Sequence, residues 1–359
     1  QLRERIPELT SLLRECSDPK ARVKAGRVMA YLAAELREGG LAVELLQLVE
    51  SIPTEGVDED TLDQVALTKG LLLYLAGQSP KSQALVKATI ERLNSRGTAN
   101  FVAAQLIGGL GTICAHEGKY HEAVTHFLQA FEMTSRLGID TTIIGMAGNL
   151  SLSYGRLGMY DKQLYWLTRA SRPWGAEFGG FVEVQLAYSR GLAHGMRGRT
   201  GEISRAIEEV EGRMNCVLPN WLRQAWQLWK ADLLLLSGRR NDAREIARES
   251  LDRFGQAPLS MSFTGLCDRW MALVSEHGPE LSQFQCLVEQ HRSQLELFDA
   301  LDQLEILCGA SIVGMRTGGI DTALSGLIQE RVSRLPPGVT ALLGRLGFLP
   351  EGSVACRIG

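Results

Sequence analysis

The densest set of side chains able to bind a metal or move a proton is Cys114, His116, Glu117, His121 and His126. Thiolate, imidazole and carboxylate are zinc ligands, and H-E-x-x-H on one helix face holds the metal between two imidazoles, with the glutamate as base. The spacing is wrong for that chemistry. His116 and His121 stand five apart rather than four, and Gly118 between them is a helix-ending residue that sends the two rings to different faces. Cys114 then reads as a core filler and the histidines as decoration of a turn and an outer helix. The cysteines (Cys16, Cys114, Cys216, Cys267, Cys286, Cys308 and Cys356) are odd in number and include no C-x-x-C, which suits a reduced, cytoplasmic chain better than a disulfide framework. Gly108-Gly109-Leu110-Gly111 lacks the dinucleotide spacing, and neither a G-x-x-x-x-G-K-[ST] loop nor a G-x-S-x-G elbow occurs. Glu208-Glu209 and Asp58-Glu59-Asp60 read as solvated faces or loops. Trp226 and Trp229 can share a helix face, either as core or as a stacking platform. The expectation is a chain with no catalytic residues, no metal and no cofactor of its own.

The elements behind these residues follow from a repeat. Gly118, Gly158, Gly198, Gly238, Gly278 and Gly318 each lie 40 residues from the last. Nine residues beyond them stand Phe127, Leu167, Ile207, Ala247, Leu287 and Leu327, an apolar column. Glycine accepts the left-handed backbone that ends a helix. Helical stretches such as Ala103–His116 and Trp221–Ser237 precede the glycines, and His121–Arg136 and Asn241–Phe254 follow them. The unit is a helix–turn–helix hairpin, and stacked hairpins bury a continuous core. Earlier hairpins are expected at Leu62–Ala76 with Lys81–Asn94 and at Val23–Glu38 with Leu41–Glu50, and a short closing helix at Val339–Phe348.

The fold expected is therefore an all-α, right-handed solenoid of about eight antiparallel helix hairpins. Residues 1–20 form the trailing helix of a truncated repeat, 21–335 the array, and 336–359 a C-terminal cap and tail. Because the chain starts at Gln1, it reads as a fragment of a longer protein. With 38 Lys+Arg against 41 Asp+Glu there is no basic excess, so direct nucleic-acid binding is not expected. No apolar run approaches a membrane span.

The residues Leu110, Gly111, Cys114, Gly118, Tyr120, Ala123, Phe127 and Ala130 resemble a tetratricopeptide repeat, and Leu150, Tyr154, Gly158, Tyr160, Leu167 and Ala170 match it again. Ser151 and Gln163 stand where that family has small Gly and Ala. Long-period, degenerate arrays of this kind resemble the sensor tails of STAND-class, MalT-like signal-transduction ATPases and regulators. The resemblance implies a non-catalytic domain that takes a protein, a peptide or a small polar ligand on its concave face and controls a neighbouring domain of the same polypeptide. The alternative it leaves open is a stand-alone adaptor that scaffolds a complex through peptide binding.

Carrying the family's inner positions onto this chain gives the candidate binding residues Gln105, Thr112, His116, Asn149, Arg156, Gln185, Tyr188, Asp232, Asp268, Glu305 and Arg316, with Leu152 and Met196 beside them. The set lacks the Lys and Asn of a carboxylate clamp for chaperone tails, since Gly108 and Thr112 stand in their places. Gly145, Gly148 and Gly155 crowd one helix at roughly 1 kcal/mol each against alanine. That concentration implies either close helix packing or room for a ligand.

Overall fold

A computed structural model describes scattered residues among the first 51 positions and then residues 58–75, 78–96, 101–138, 140–170, 181–213, 220–254, 264–275, 279–295, 298–317 and 322–349. Gly278, Gly318 and the hairpin expected at 23–50 lie wholly or largely outside the described residues. Fifteen helices have described bounds: α1 (Glu59–Leu75), α2 (Ser79–Ser95), α3 (Phe101–His116), α4 (Tyr120–Leu137), α5 (Asp140–Arg156), α6 (Tyr160–Ala170), α7 (Phe181–Met196), α8 (Thr200–Arg213), α9 (Asn220–Leu236), α10 (Arg240–Phe254), α11 (Thr264–Val274), α12 (Pro279–Ser293), α13 (Ala300–Thr317), α14 (Thr322–Arg334) and α15 (Pro337–Arg345). Among the described residues there is no strand, and no helix is long and apolar enough to cross a membrane. The fold is all-α, with consecutive helices packed as tetratricopeptide-like hairpins, such as α1 on α2, α7 on α8, α9 on α10 and α13 on α14.

The turns form where the glycines are. Gly118, Gly158, Gly198 and Gly238 have φ of 79°, 75°, 73° and 84°. Each closes its helix with the same pair of backbone bonds: at the first, Gly118 N–H donates to Ala115 O at 3.0 Å and Lys119 N–H to Cys114 O at 2.8 Å. At the third, Gly198 N–H donates to Gly195 O at 2.9 Å and Arg199 N–H to His194 O at 2.9 Å. These bonds satisfy the carbonyls a helix end leaves over, and they demand a left-handed residue. Gly198 has no atom within 4 Å of where a Cβ would stand. Gly198→Ala is therefore expected to cost about 1–2 kcal/mol from backbone strain alone, read by urea unfolding, with Gly198→Asn costing less.

The chain divides into two compact units: Gln1–Ile113 with Thr125–Asp140, and Cys114–Val124 with Thr141–Gly359. In the first, Val86, Leu93, Val102, Ala103, Leu106 and Leu110 form the core, and Leu67, Ile90 and Met133 pack against it. A Cβ on Gly111 would meet the Phe127 ring at 2.7 Å, so this glycine is where the aromatic of the next helix seats. Asp58 caps α1 by accepting from Thr61 N–H at 2.9 Å. The Lys20 ammonium beside it, with the Thr61 bonds, lowers its carboxyl to about 2.

In the second unit the apolar column is buried at Leu167, Ile207 and Ala247. It then slips: Leu287 and Leu327 are half-buried, while their successors Val288 and Ile328 are buried. α6, α8 and α10 begin two residues beyond the ladder glycine, whereas α12 begins one beyond and α14 four beyond, so the last two repeats no longer keep the register of the earlier ones.

The helix expected at 339–348 runs from Pro337 to Arg345 and ends at Gly347, φ 78°, with the same paired bonds as the ladder turns. It docks far back along the unit. Leu335 Cδ2 lies 3.1 Å from the Cβ position of Gly118, and Gly338 packs on the backbone of residues 155–158. Arg345 donates to Gly195 O at 3.2 Å and to Met196 O at 2.8 Å. Phe348 sets its ring edge on Trp270, centroids 5.6 Å apart.

Candidate functional site

An open cleft of about 390 Å³ lies within the second unit. Its walls come from four helices. The C-terminal turn of α5 supplies Leu152, Gly155 and Arg156, and α6 supplies Tyr160 and Gln163. Helix α7 supplies Tyr188, Ser189, Leu192 and Met196, and α15 closes one side with Gly338 and Leu342. The α5 end is positioned by the left-handed turn at Gly158, and the α15 wall by Gly338. A Cβ at residue 338 would stand 2.3 Å from Gly158 N and 2.5 Å from the carbonyl oxygens of Gly155 and Arg156. Only glycine lets the two backbones meet there.

Gln163 shapes the floor. Its side-chain amide fills the space in which a Cβ on Gly155 would lie, 2.7 Å away, and its Nε2 donates to Ser189 O at 3.1 Å. Two polar groups on this surface are left over. The Ser189 hydroxyl is buried without a hydrogen-bond partner among the described residues. Arg156, half-buried, forms no ion pair among them. Leu152, Leu192, Met196 and Leu342 make the rest apolar. The arrangement offers one cation and one neutral donor in an otherwise apolar slot, the composition typical of a small-ligand subsite.

Behind the cleft lies a buried charge network. Tyr188 Oη donates to Asp232 Oδ2 at 2.9 Å, and its ring stacks on Trp229 with centroids 4.9 Å apart. Arg269, 2% exposed, donates Nη1 to Asp232 Oδ1 at 2.7 Å, Nη2 to Oδ2 at 2.6 Å, and Nε to Glu305 Oε1 at 2.9 Å. Trp270 Nε1 adds a bond to Asp232 Oδ1 at 3.0 Å, and the guanidinium lies 4.4 Å from the Phe348 ring centroid. Burial works against the charge on Arg269, but Asp232 and Glu305 together hold it protonated. Burial raises the Tyr188 phenol well above its ordinary value, with the Asp232 charge adding to the rise, so it stays a donor. The network fixes the orientation of Tyr188, and with it one wall of the cleft.

Burial also raises the Glu305 carboxyl above its ordinary 4.5, against the pull of Arg269. The folded chain then holds this proton more tightly than the unfolded one. Its contribution to stability is full below pH 4.5 and falls as pH climbs through the raised value. Glu305→Gln, which mimics the protonated form, is expected to melt close to wild type at acid pH and to flatten that descending part of the melting-temperature profile.

The sequence-derived candidates are distributed as follows. Arg156 and Tyr188, with Leu152 and Met196, line the cleft, and Asp232 and Glu305 anchor the network behind it. Asn149 and Gln185 are half-buried on α5 and α7, outside the lining. Asp268 is bonded to His291 Nδ1 at 2.7 Å. Arg316 donates to Ala272 O at 2.5 Å and Leu273 O at 3.0 Å, capping the end of α11. His116 Nδ1 sits 3.6 Å from Asp299 Oδ2. Gln105 and Thr112 belong to the first unit, where Thr112 Oγ1 bonds to Gly108 O of its own helix at 3.2 Å.

Sequence reasoning missed Arg269, Gln163, Ser189 and the α15 wall. Arg269 carries a signal, since it stands beside Asp268 in the otherwise apolar run Cys267–Val274, where a charge must be paired internally. Gln163 carries one too, as the large polar residue where a tetratricopeptide has alanine. Among the tryptophans, Trp226 and Trp270 are fully buried and Trp229 serves the stack with Tyr188. The glycine-rich α5 divides. Gly155 is filled by Gln163, while Gly148 has only Leu186 at 3.9 Å and Gly145 nothing within 4 Å. Among the described residues, no three His, Cys, Asp or Glu side chains gather as a metal-binding group.

No protein-family profile matches this sequence. No curated protein matches it either. Among solved structures, the fold is similar to that of the Rap conjugation gene regulator of the plasmid pLS20, solved in complex with the Phr* peptide. The TM-score is 0.52 at 11% identity, over 96% of this chain and 99% of that one. At that identity the likeness is one of fold.

Proposed function

We propose that this chain is a non-catalytic regulatory protein that binds a peptide in the cleft between α5, α6, α7 and α15, and that occupancy of the cleft sets how it engages a protein partner. The observation that carries the reading is the cleft itself. It combines a cation and a hydroxyl that have no partner among the described residues with apolar walls, on a backing of buried ion pairs. The similarity in fold to a regulator solved with a peptide supports the same class of ligand. Adaptor and regulator need not differ here: a peptide that binds two shapes of the array unequally shifts it toward one of them. The version in which the array is the sensor tail of a larger signal-transduction protein rests on its 40-residue glycine period. Reading the coding sequence on either side tests it.

The test of the main reading is a thermal-shift screen of the full chain against pooled hexapeptides, because preferential binding to the native state raises apparent stability. A pool that raises the melting temperature of the wild-type chain, with the rise reduced in Leu192→Ala, is the expected result. No shift from any pool at millimolar concentration would remove the peptide reading.

A further inference from the structure

The cleft also specifies which part of a peptide it takes; this inference rests on the peptide-binding reading and narrows it. Arg156 brings one positive charge to the lining, and no second basic residue joins it there. A single guanidinium matches a monoanion, and its planar fork suits a carboxylate. The Ser189 hydroxyl, 1% exposed and without a partner among the described residues, supplies a further donor at the same floor. A buried hydroxyl left unpaired is costly unless something accepts from it. The cleft is open, and its roughly 390 Å³ includes the solvent at its mouth. Helix α15 bounds one side through backbone contact at Gly338, which suits a chain that stops there rather than passes through.

We infer that Arg156 and Ser189 form a carboxylate site that receives the C-terminal residue of a peptide, with its side chain on Leu152, Leu192, Met196 and Leu342. The same chemistry is offered by a small free acid, so the experiment separates the two sources. Hexapeptides randomised at the first five positions and ending in Leu are titrated into the full chain as free acids and as C-terminal amides. N-acetyl-leucine serves as the small-acid probe. The free acids should bind at least about tenfold more tightly than the amides, the worth of one charge-assisted hydrogen bond. Arg156→Gln should erase that preference and Arg156→Lys restore part of it. Because Arg156 has no ion pair to lose among the described residues, both variants should melt within a few degrees of wild type.

Equal binding of acids and amides, unchanged in Arg156→Gln, overturns the carboxylate site and leaves peptide binding standing. Binding of N-acetyl-leucine that depends on Arg156, with no binding of any hexapeptide, overturns the peptide as its source. Binding of none of the probes overturns both.

Discussion

Arg269→Met is expected to destabilise the second unit by about 3–5 kcal/mol, the cost of leaving a buried charge without its partner. Asp232 and Glu305 are both buried, and Arg269 supplies two bonds to the first and one to the second. Methionine fills much the same volume, so the loss is electrostatic rather than a cavity. Tyr188 and Trp270 would still donate to Asp232, but neither brings a positive charge. Removing all three charges together, as Asp232→Asn, Arg269→Met and Glu305→Gln, should recover most of the loss, since a neutral, well-filled core has no ion to solvate. Equilibrium urea unfolding of the single and triple variants measures both. A single variant within 1 kcal/mol of wild type would mean that these charges are solvated and the network is not as described.

Gly338→Ala is the second large effect. Its Cβ would stand 2.3 Å from Gly158 N and 2.5 Å from two carbonyl oxygens, all backbone, so no side chain can swing aside. Helix α15 must move or its contact must open. Overpacking of this kind costs about 1–3 kcal/mol, and here it also removes a wall of the cleft. Hydrogen exchange should show loss of protection in α15 and in the last turns of α5 and α7, whose carbonyls at residues 195 and 196 accept from Arg345. Peptide affinity should fall alongside. Arg345→Ala, which removes those two bonds and leaves the backbone contact intact, should loosen α15 less. Unchanged exchange in Gly338→Ala would show that α15 does not dock on α5.

What could be read from the sequence was what single residues decide locally. A left-handed turn needs glycine, so Gly118, Gly158, Gly198 and Gly238 marked four helix ends and, through them, the hairpins on either side. The inner positions that the tetratricopeptide resemblance implies for α5 and α7 include Arg156 and Tyr188, which both line the cleft. The rest depends on pairing between distant segments. Asp232 and Glu305 looked like isolated charges on a polar wall, because nothing local distinguishes a solvated carboxylate from one held by an arginine 36 or 37 residues away. The slip of the buried column to Val288 and Ile328 is not settled by the ladder glycines, whose spacing stays at 40 residues while α12 and α14 start at other offsets. The docking of α15 has no local signature at all: Gly338 resembles any glycine after a proline until Gly158 is seen beside it.

The reach of α15 also orders the making of the chain. Helix hairpins close over a few tens of residues and can form one by one as they leave the ribosome. Arg345 and Gly195 are 150 residues apart, so this closure waits until nearly all of the unit has been synthesised. Up to that moment the growing chain is a row of finished hairpins whose cleft lacks a side. On the proposed reading of the cleft as the binding site, recognition is the last property the second unit acquires during translation, and a chain released early would carry the repeats without it.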